Sequence, residues 1–221
     1  MRESNKVRIE GYIFDIDGTL LNSSSVHIKT WQSALSQFGI EKKIEDIRPF
    51  YYTSKTVIND LAEFKLLSLK KKEKIQELKI ELFLKEIDNI KPFPYVEKTL
   101  EKLYLLGIPV VLASSNPKKV IKKIMKTFKW QFVKSFISMD DVTHNKPHPE
   151  MILNACEILK EDPAKVAMIG DSIDDFLAAK RAEVKFIAIT SKYGPLTWTK
   201  YHPHLIISNF RELYQKLPLF L

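Results

Sequence analysis

Two aspartates two residues apart, Asp15 and Asp17, stand in Phe14-Asp15-Ile16-Asp17-Gly18-Thr19, straight after the apolar run Tyr12-Ile13-Phe14. If that run is a buried strand, both carboxylates leave its carboxyl end, the edge at which open parallel sheets bind ligands. The two can converge on one point, and Gly18 allows a turn tight enough to present N–H groups to a phosphate, with Thr19 beside it. Such a pair suits a metal ion and an anion held together. Asp and Gly also build ordinary turns, so the motif alone leaves a purely structural reading open.

Three later patterns add to it. Ser114 ends the run Val110-Val-Leu-Ala-Ser114, where a hydroxyl can donate to a phosphoryl oxygen. Ser115 and Asn116 offer further donors, although a serine after a strand can equally cap the next helix. Lys146, in Asn145-Lys146-Pro147-His148-Pro149-Glu150, is a cation next to a helix start, where the helix dipole disfavours it. A nearby phosphate or carboxylate would explain it. His144 and His148 flank this lysine and read as solvated loop histidines, with a transition-metal site as the alternative.

The last pattern is Ile169-Gly170-Asp171-Ser172-Ile173-Asp174-Asp175, again acidic residues after an apolar run, and hard oxygen ligands of this kind suit Mg²⁺. An i, i+4 spacing on one helix face would let Asp171 touch the ion while Asp175 binds it through water or orients its neighbours. Asp174 is expected at the surface.

These residues need a sheet to position them. Apolar runs at 12–14, 108–113, 166–169 and 186–189, with weaker ones at 132–137 and 205–207, alternate with amphipathic helical patterns, which predicts a parallel sheet covered by helices. Val96, Leu100 and Leu103 share one helix face, Val120, Ile124 and Phe128 another, and Ile152, Ala155 and Leu159 a third. Asn116-Pro117 reads as a cap with proline at the first helical position. From Leu21 to about Lys91 the rhythm breaks into helical patterns only. One carries Ile28, Trp31, Leu35 and Phe38 and stops at Gly39; another carries Ile75, Leu78 and Leu82 before Pro92. The expected division is therefore an α/β core of residues 1–20 and 92–221, with an all-helical insertion at 21–91.

With 221 residues, 45% of them hydrophobic, the chain can bury a core without staples, and its single cysteine, Cys156, permits no internal disulfide. No apolar stretch has the length of a signal peptide or a membrane span, which points to a cytoplasmic protein. The formal charge of +8 favours anionic partners. No groove-reading helix, zinc spacing or aromatic-basic alternation accompanies it, so nucleic acid is not the expected partner.

Taken together, Asp-x-Asp-Gly-Thr, then Ser, then Lys-Pro, then Gly-Asp-Ser-x-x-Asp, in this order and spacing, resemble the haloacid dehalogenase-like hydrolase superfamily over nearly the whole chain. The helical insertion after the first motif is similar to the cap of its phosphoglycolate phosphatase and β-phosphoglucomutase branch, as are Val26-His27 and Trp31. The resemblance implies a Rossmann-like core and a phosphoryl transfer in which Asp15 attacks phosphorus and Asp17 acts as acid and then base. It implies Mg²⁺ held by Asp15, the Asp17 carbonyl and Asp171, with Asp175 in support, while Lys146 and Ser114 stabilise the phosphoryl group. His27 and Lys55, the latter beside Ser54, would face the substrate from the cap. Asn22 departs from the acidic residue many relatives have there, and residues 50–55 lack a glycine often found in that loop.

The function these readings lead to is a Mg²⁺-dependent phosphatase for a small phosphate monoester, of phosphoglycolate or sugar-phosphate type, working as a monomer or homodimer. A β-phosphoglucomutase-like phosphotransferase is the enzymatic alternative, and a non-catalytic anion-binding or nucleic-acid-binding module the remote one.

Overall fold

A computed structural model of the chain describes residues 8–47, 61–190 and 198–217. Its strands are β1 (Gly11–Phe14), β2 (Val110–Ala113), β3 (Ser135–Ile137), β4 (Val166–Gly170), β5 (Lys185–Ile189) and β6 (Leu205–Ile207). They form one parallel sheet in the order β3-β2-β1-β4-β5-β6. The central strands β1, β2 and β4 are buried at every residue, as expected where helices cover both faces and no polar alternation is needed. The weakly patterned runs at 132–137 and 205–207 supply the two edge strands, shorter and more exposed than the rest.

Between β1 and β2 the chain makes α1 (Ser24–Ser36), α2 (Ile44–Ile47), α3 (Ala62–Lys65), α4 (Leu69–Glu86) and α5 (Val96–Leu105). Then α6 (Lys118–Phe128) follows β2, α7 (Glu150–Leu159) follows β3, α8 (Ile173–Arg181) follows β4 and α9 (Phe210–Lys216) follows β6. Met151, Ile152, Ala155 and Leu159 of α7 and Phe176, Ala178 and Ala179 of α8 pack with Ile13, Val111, Met168 and Phe186 in one core. Among the described residues no helix is long and apolar enough to cross a membrane.

The chain divides into two compact units, one drawn from Met1–Leu21, Pro92–Ser114 and Trp130–Leu221, the other from Asn22–Lys91 and Ser115–Lys129. The helix α6 therefore groups with the insertion, where Asp88 accepts hydrogen bonds from Lys123 and Thr127. Its N-cap is Pro117, so Asn116 lies one residue before the position expected of it. Within the second unit, Ile28, Trp31 and Leu35 of α1 pack with Ile47, Phe64 and Ile75, and Phe38, Leu78 and Leu82 border them. Lys79 sits on the same α4 stripe as Ile75 and Phe83 and is 2% exposed. The two crossings run side by side: Leu21 bridges Pro92, and the Asn22 N–H donates to the Lys91 carbonyl.

Candidate active site

The strand order reverses direction at β1 and β4, and such a switch point opens a crevice at the carboxyl ends of those two strands. Asp15 leaves β1 there, with its N–H donating to Ile169 of β4 at 3.0 Å. The following residues wind into a tight loop, in which the N–H groups of Leu20 and Leu21 both donate to the Ile16 carbonyl and Gly18 donates to Leu21. Gly18 has φ +82°, a left-handed conformation that favours glycine. Asp17 is half-buried in this loop, bridged through its backbone to Leu21.

Asp171 and Asp175 come from the carboxyl end of β4, but not as one helix face. Helix α8 begins only at Ile173, so Asp171 lies in the preceding turn. Ser172 is the N-cap and Asp175 the third helical residue, and their side chains form a reciprocal capping box. The turn rather than helical periodicity brings the two carboxylates together. Asp174 is half-buried rather than at the surface, and burial, followed by the neighbouring Asp175, raises its carboxyl above the usual range.

Lys146 joins these pieces. Its Nζ lies 2.7 Å from Asp15 Oδ1, 2.6 Å from Asp175 Oδ1 and 3.0 Å from the Ala113 carbonyl at the end of β2. The cation beside a helix start thus has two buried carboxylates as partners. Burial works against its charge, but Asp15 and Asp175 overcome that cost and hold the ammonium above the ordinary lysine range. The second Asp175 oxygen accepts from the Ser172 N–H and hydroxyl.

One ammonium does not balance the cluster. Burial, and then Asp175, push Asp15 up to about 7 despite Lys146. Asp171 is raised as well, by burial and then by Asp15 and Asp175. Its Oδ1 accepts from Thr19 at 3.3 Å, while the buried Oδ2 has no hydrogen-bond partner. Oxygens of Asp15, Asp171 and Asp175 lie within 4.8 Å of one another. Excess buried negative charge, an unpartnered carboxylate oxygen and an all-oxygen donor set fit a hard divalent cation such as Mg²⁺.

Two measurements follow from this geometry. A carboxyl whose value is raised on folding stabilises the fold fully below its unfolded value, here 3.8, and loses that contribution as pH rises through the folded value, about 7 for Asp15. The metal-free protein should therefore lose stability from Asp15 between those limits, and because Asp171 is raised in the same direction, Asp171→Asn should lose less as pH rises. Subtracting variant from wild type in EDTA cancels Glu63, Asp88, Glu150 and Glu212, whose lowered values act in the opposite direction. Thermal unfolding with Mg²⁺ should show a stabilisation that grows with pH in wild type and is largely absent in the variant. For Gly18, a Cβ would stand 2.3 Å from Asp171 Oδ2. Gly18→Ala is expected to cost about 1–3 kcal/mol in urea denaturation, from backbone strain and overpacking together.

The remaining residues singled out in the sequence are distributed as follows. Ser114 is buried at the end of β2, its N–H donating to Ile137. Ser115 and Asn116 follow it in the other compact unit, Asn116 buried and Ser115 half-buried. His27 is buried in α1, its ring stacked on Phe83 and its Nδ1 3.0 Å from Lys79 Nζ. Lys55 and Ser54 lie outside the described residues. Lys79 was not foreseen: one lysine among many on a charged helix gives no local sign of burial, and only its i, i+4 spacing from Ile75 and Phe83 could have pointed to it.

The comparisons with known proteins agree with this geometry. Residues 12–189 match the model of the family described as haloacid dehalogenase-like hydrolase. The pyrophosphatase PpaX of Oceanobacillus iheyensis is 26% identical over 208 residues, covering 93% of this chain and 95% of that protein. The bifunctional riboflavin kinase/FMN phosphatase of Arabidopsis thaliana is 31% identical over 184 residues, 81% of this chain and 48% of that one. Among solved structures, CbbY from Rhodobacter sphaeroides in complex with phosphate superposes with a TM-score of 0.81 at 19% identity, covering 93% of this chain and 96% of that chain, a likeness of fold. With the family's model spanning most of its length, from β1 through β5, the chain belongs to the haloacid dehalogenase-like hydrolases.

Proposed function

We propose that the protein is a Mg²⁺-dependent phosphatase for small phosphorylated molecules, working through an aspartyl phosphate on Asp15. The observation that carries this reading is Asp15 at the mouth of the central strand, paired with Lys146 at 2.7 Å beside the unpartnered Asp171 oxygen. An Asp15 oxygen attacks phosphorus in line; the bond from phosphorus to the leaving oxygen breaks, and Asp17 gives that oxygen its proton. Asp17 then takes a proton from water, the water oxygen bonds to phosphorus, and the bond to Asp15 breaks to release inorganic phosphate. Lys146 and Ser114 meet the phosphoryl oxygens, with Gly18, Thr19, Ser115 and Asn116 as further donors. Mg²⁺, held by Asp15, the Asp17 carbonyl and Asp171 with Asp175 in support, would offset the repulsion between a carboxylate and a phosphate dianion.

In this reading residues 1–20 and 92–221 are the catalytic core and 21–91 a cap that excludes bulk water during the reaction. His27 and Lys55 then belong to the substrate side of the cap. The names of the relatives add pyrophosphate and FMN to the phosphoglycolate and sugar phosphates that the family resemblance implies. Release of inorganic phosphate from this panel, with Mg²⁺ and with EDTA, tests the proposal. Release that depends on Mg²⁺ supports it and ranks the substrates; none from any compound at saturating Mg²⁺ rejects it.

A further inference from the structure

The segment that carries Lys146 has a second face. While Lys146 turns inward to Asp15 and Asp175, His144 and His148 lie on the exposed side with Glu150, the first residue of α7. The two imidazole rings are 4.6 Å apart between centroids. His144 Nδ1 is 3.3 Å from Glu150 Oε2, and His148 Nδ1 is 3.9 Å from the same oxygen and 3.3 Å from the Glu150 N–H. One ligand atom from each of the three residues falls within a 4.8 Å cluster.

We propose that His144, His148 and Glu150 form a surface site for a borderline transition-metal dication of the Zn²⁺ type, separate from the acidic crevice. Two nitrogens and one carboxylate oxygen are a donor set that selects such ions over Mg²⁺. Ligand atoms of a tetrahedral site with bonds of about 2.0–2.1 Å are separated by roughly 3.3 Å. The His144–Glu150 pair already has that spacing, and His148 Nδ1, 3.9 Å from the same oxygen, becomes a ligand by closing in and exchanging the Glu150 N–H for the ion. The carboxylate is also pre-oriented: Glu150 accepts the Thr143 N–H at 2.8 Å and the His144 N–H at 2.9 Å. These backbone donors keep it ionised below the usual glutamate range, and groups that orient a ligand in this way raise metal affinity. Exposure leaves the fourth position to water, so three protein ligands hold the ion. It closes residues 144–150 into a ring from outside while Lys146 holds the same segment from within.

Zn²⁺ binding by isothermal titration calorimetry, in excess Mg²⁺, tests this on three full-length proteins: wild type, His144→Ala/His148→Ala and Asp171→Asn. Thermal unfolding in EDTA verifies that each is folded. Wild type and Asp171→Asn should bind one Zn²⁺ with Kd tighter than about 100 μM, and the double histidine variant at least about tenfold more weakly. Wild-type binding weaker than that limit, or tight binding that survives loss of both histidines, would overturn the proposal. The readout is independent of phosphatase activity, and of whether Asp171 holds Mg²⁺.

Discussion

Replacing Asp15 by Asn is expected to lower Mg²⁺-dependent phosphate release by at least about 10⁴-fold, since losing a nucleophile removes the covalent route as a whole. The side chain keeps its size and loses one buried negative charge from a cluster in which Asp15 is already pushed up to about 7. Lys146 retains Asp175, 2.6 Å away, as a partner. The variant should therefore fold and, in EDTA at neutral pH, unfold at the same temperature as wild type or a higher one. Loss of activity with the fold retained is the signature of a reacting group. Activity equal to that of wild type on the same substrate would remove Asp15 from the chemistry.

The second large effect is expected at Lys146, and it has the opposite stability signature. Lys146→Ala leaves Asp15 and Asp175 buried without their shared counter-charge, at a cost of about 3–5 kcal/mol. Loss of a preorganised cation at the phosphoryl group should also lower kcat by about 10²-fold to 10³-fold. The stability loss carries a pH test. Lys146 lowers the Asp15 value, so without it Asp15 protonates at still higher pH. The penalty should be largest near pH 8 and shrink towards pH 5.5, where Asp15 is neutral, as read by urea denaturation at both. An equal loss at the two pH values would assign the effect to packing of the lysine stem instead.

The sequence and the structure divide the site between them in a consistent way. Asp15 and Asp17 were legible because a buried strand with both faces covered is a continuous apolar run, and the polar residues that follow it must leave the sheet at its edge. Ser114, Lys146 and Asp171 were legible by the same rule or by a cation standing against a helix dipole. The reading of Asp171 and Asp175 as one helix face misjudged where α8 starts, because Ser172 can cap a helix as readily as continue one. What that reading missed is that Asp175 spends one oxygen on its own helix and the other on Lys146.

Local pattern therefore determined which residues leave which strand, that the described stretches of the insertion are helical, and that several carboxylates and one lysine fall beside strand ends and helix starts. Only the tertiary structure decided that β4 lies beside β1, so that Thr19 meets Asp171 across 152 residues of chain, and that the segment between β3 and α7 brings Lys146 to Asp15 across 131. Periodicity reports whether a residue faces a core, not which strand will be its neighbour. The burial of Lys79 against His27, the bare oxygen of Asp171 and the meeting of His144, His148 and Glu150 belong to the same class. Each depends on how distant or irregular backbone closes in space, and a linear pattern of apolar and polar residues holds no record of that closure.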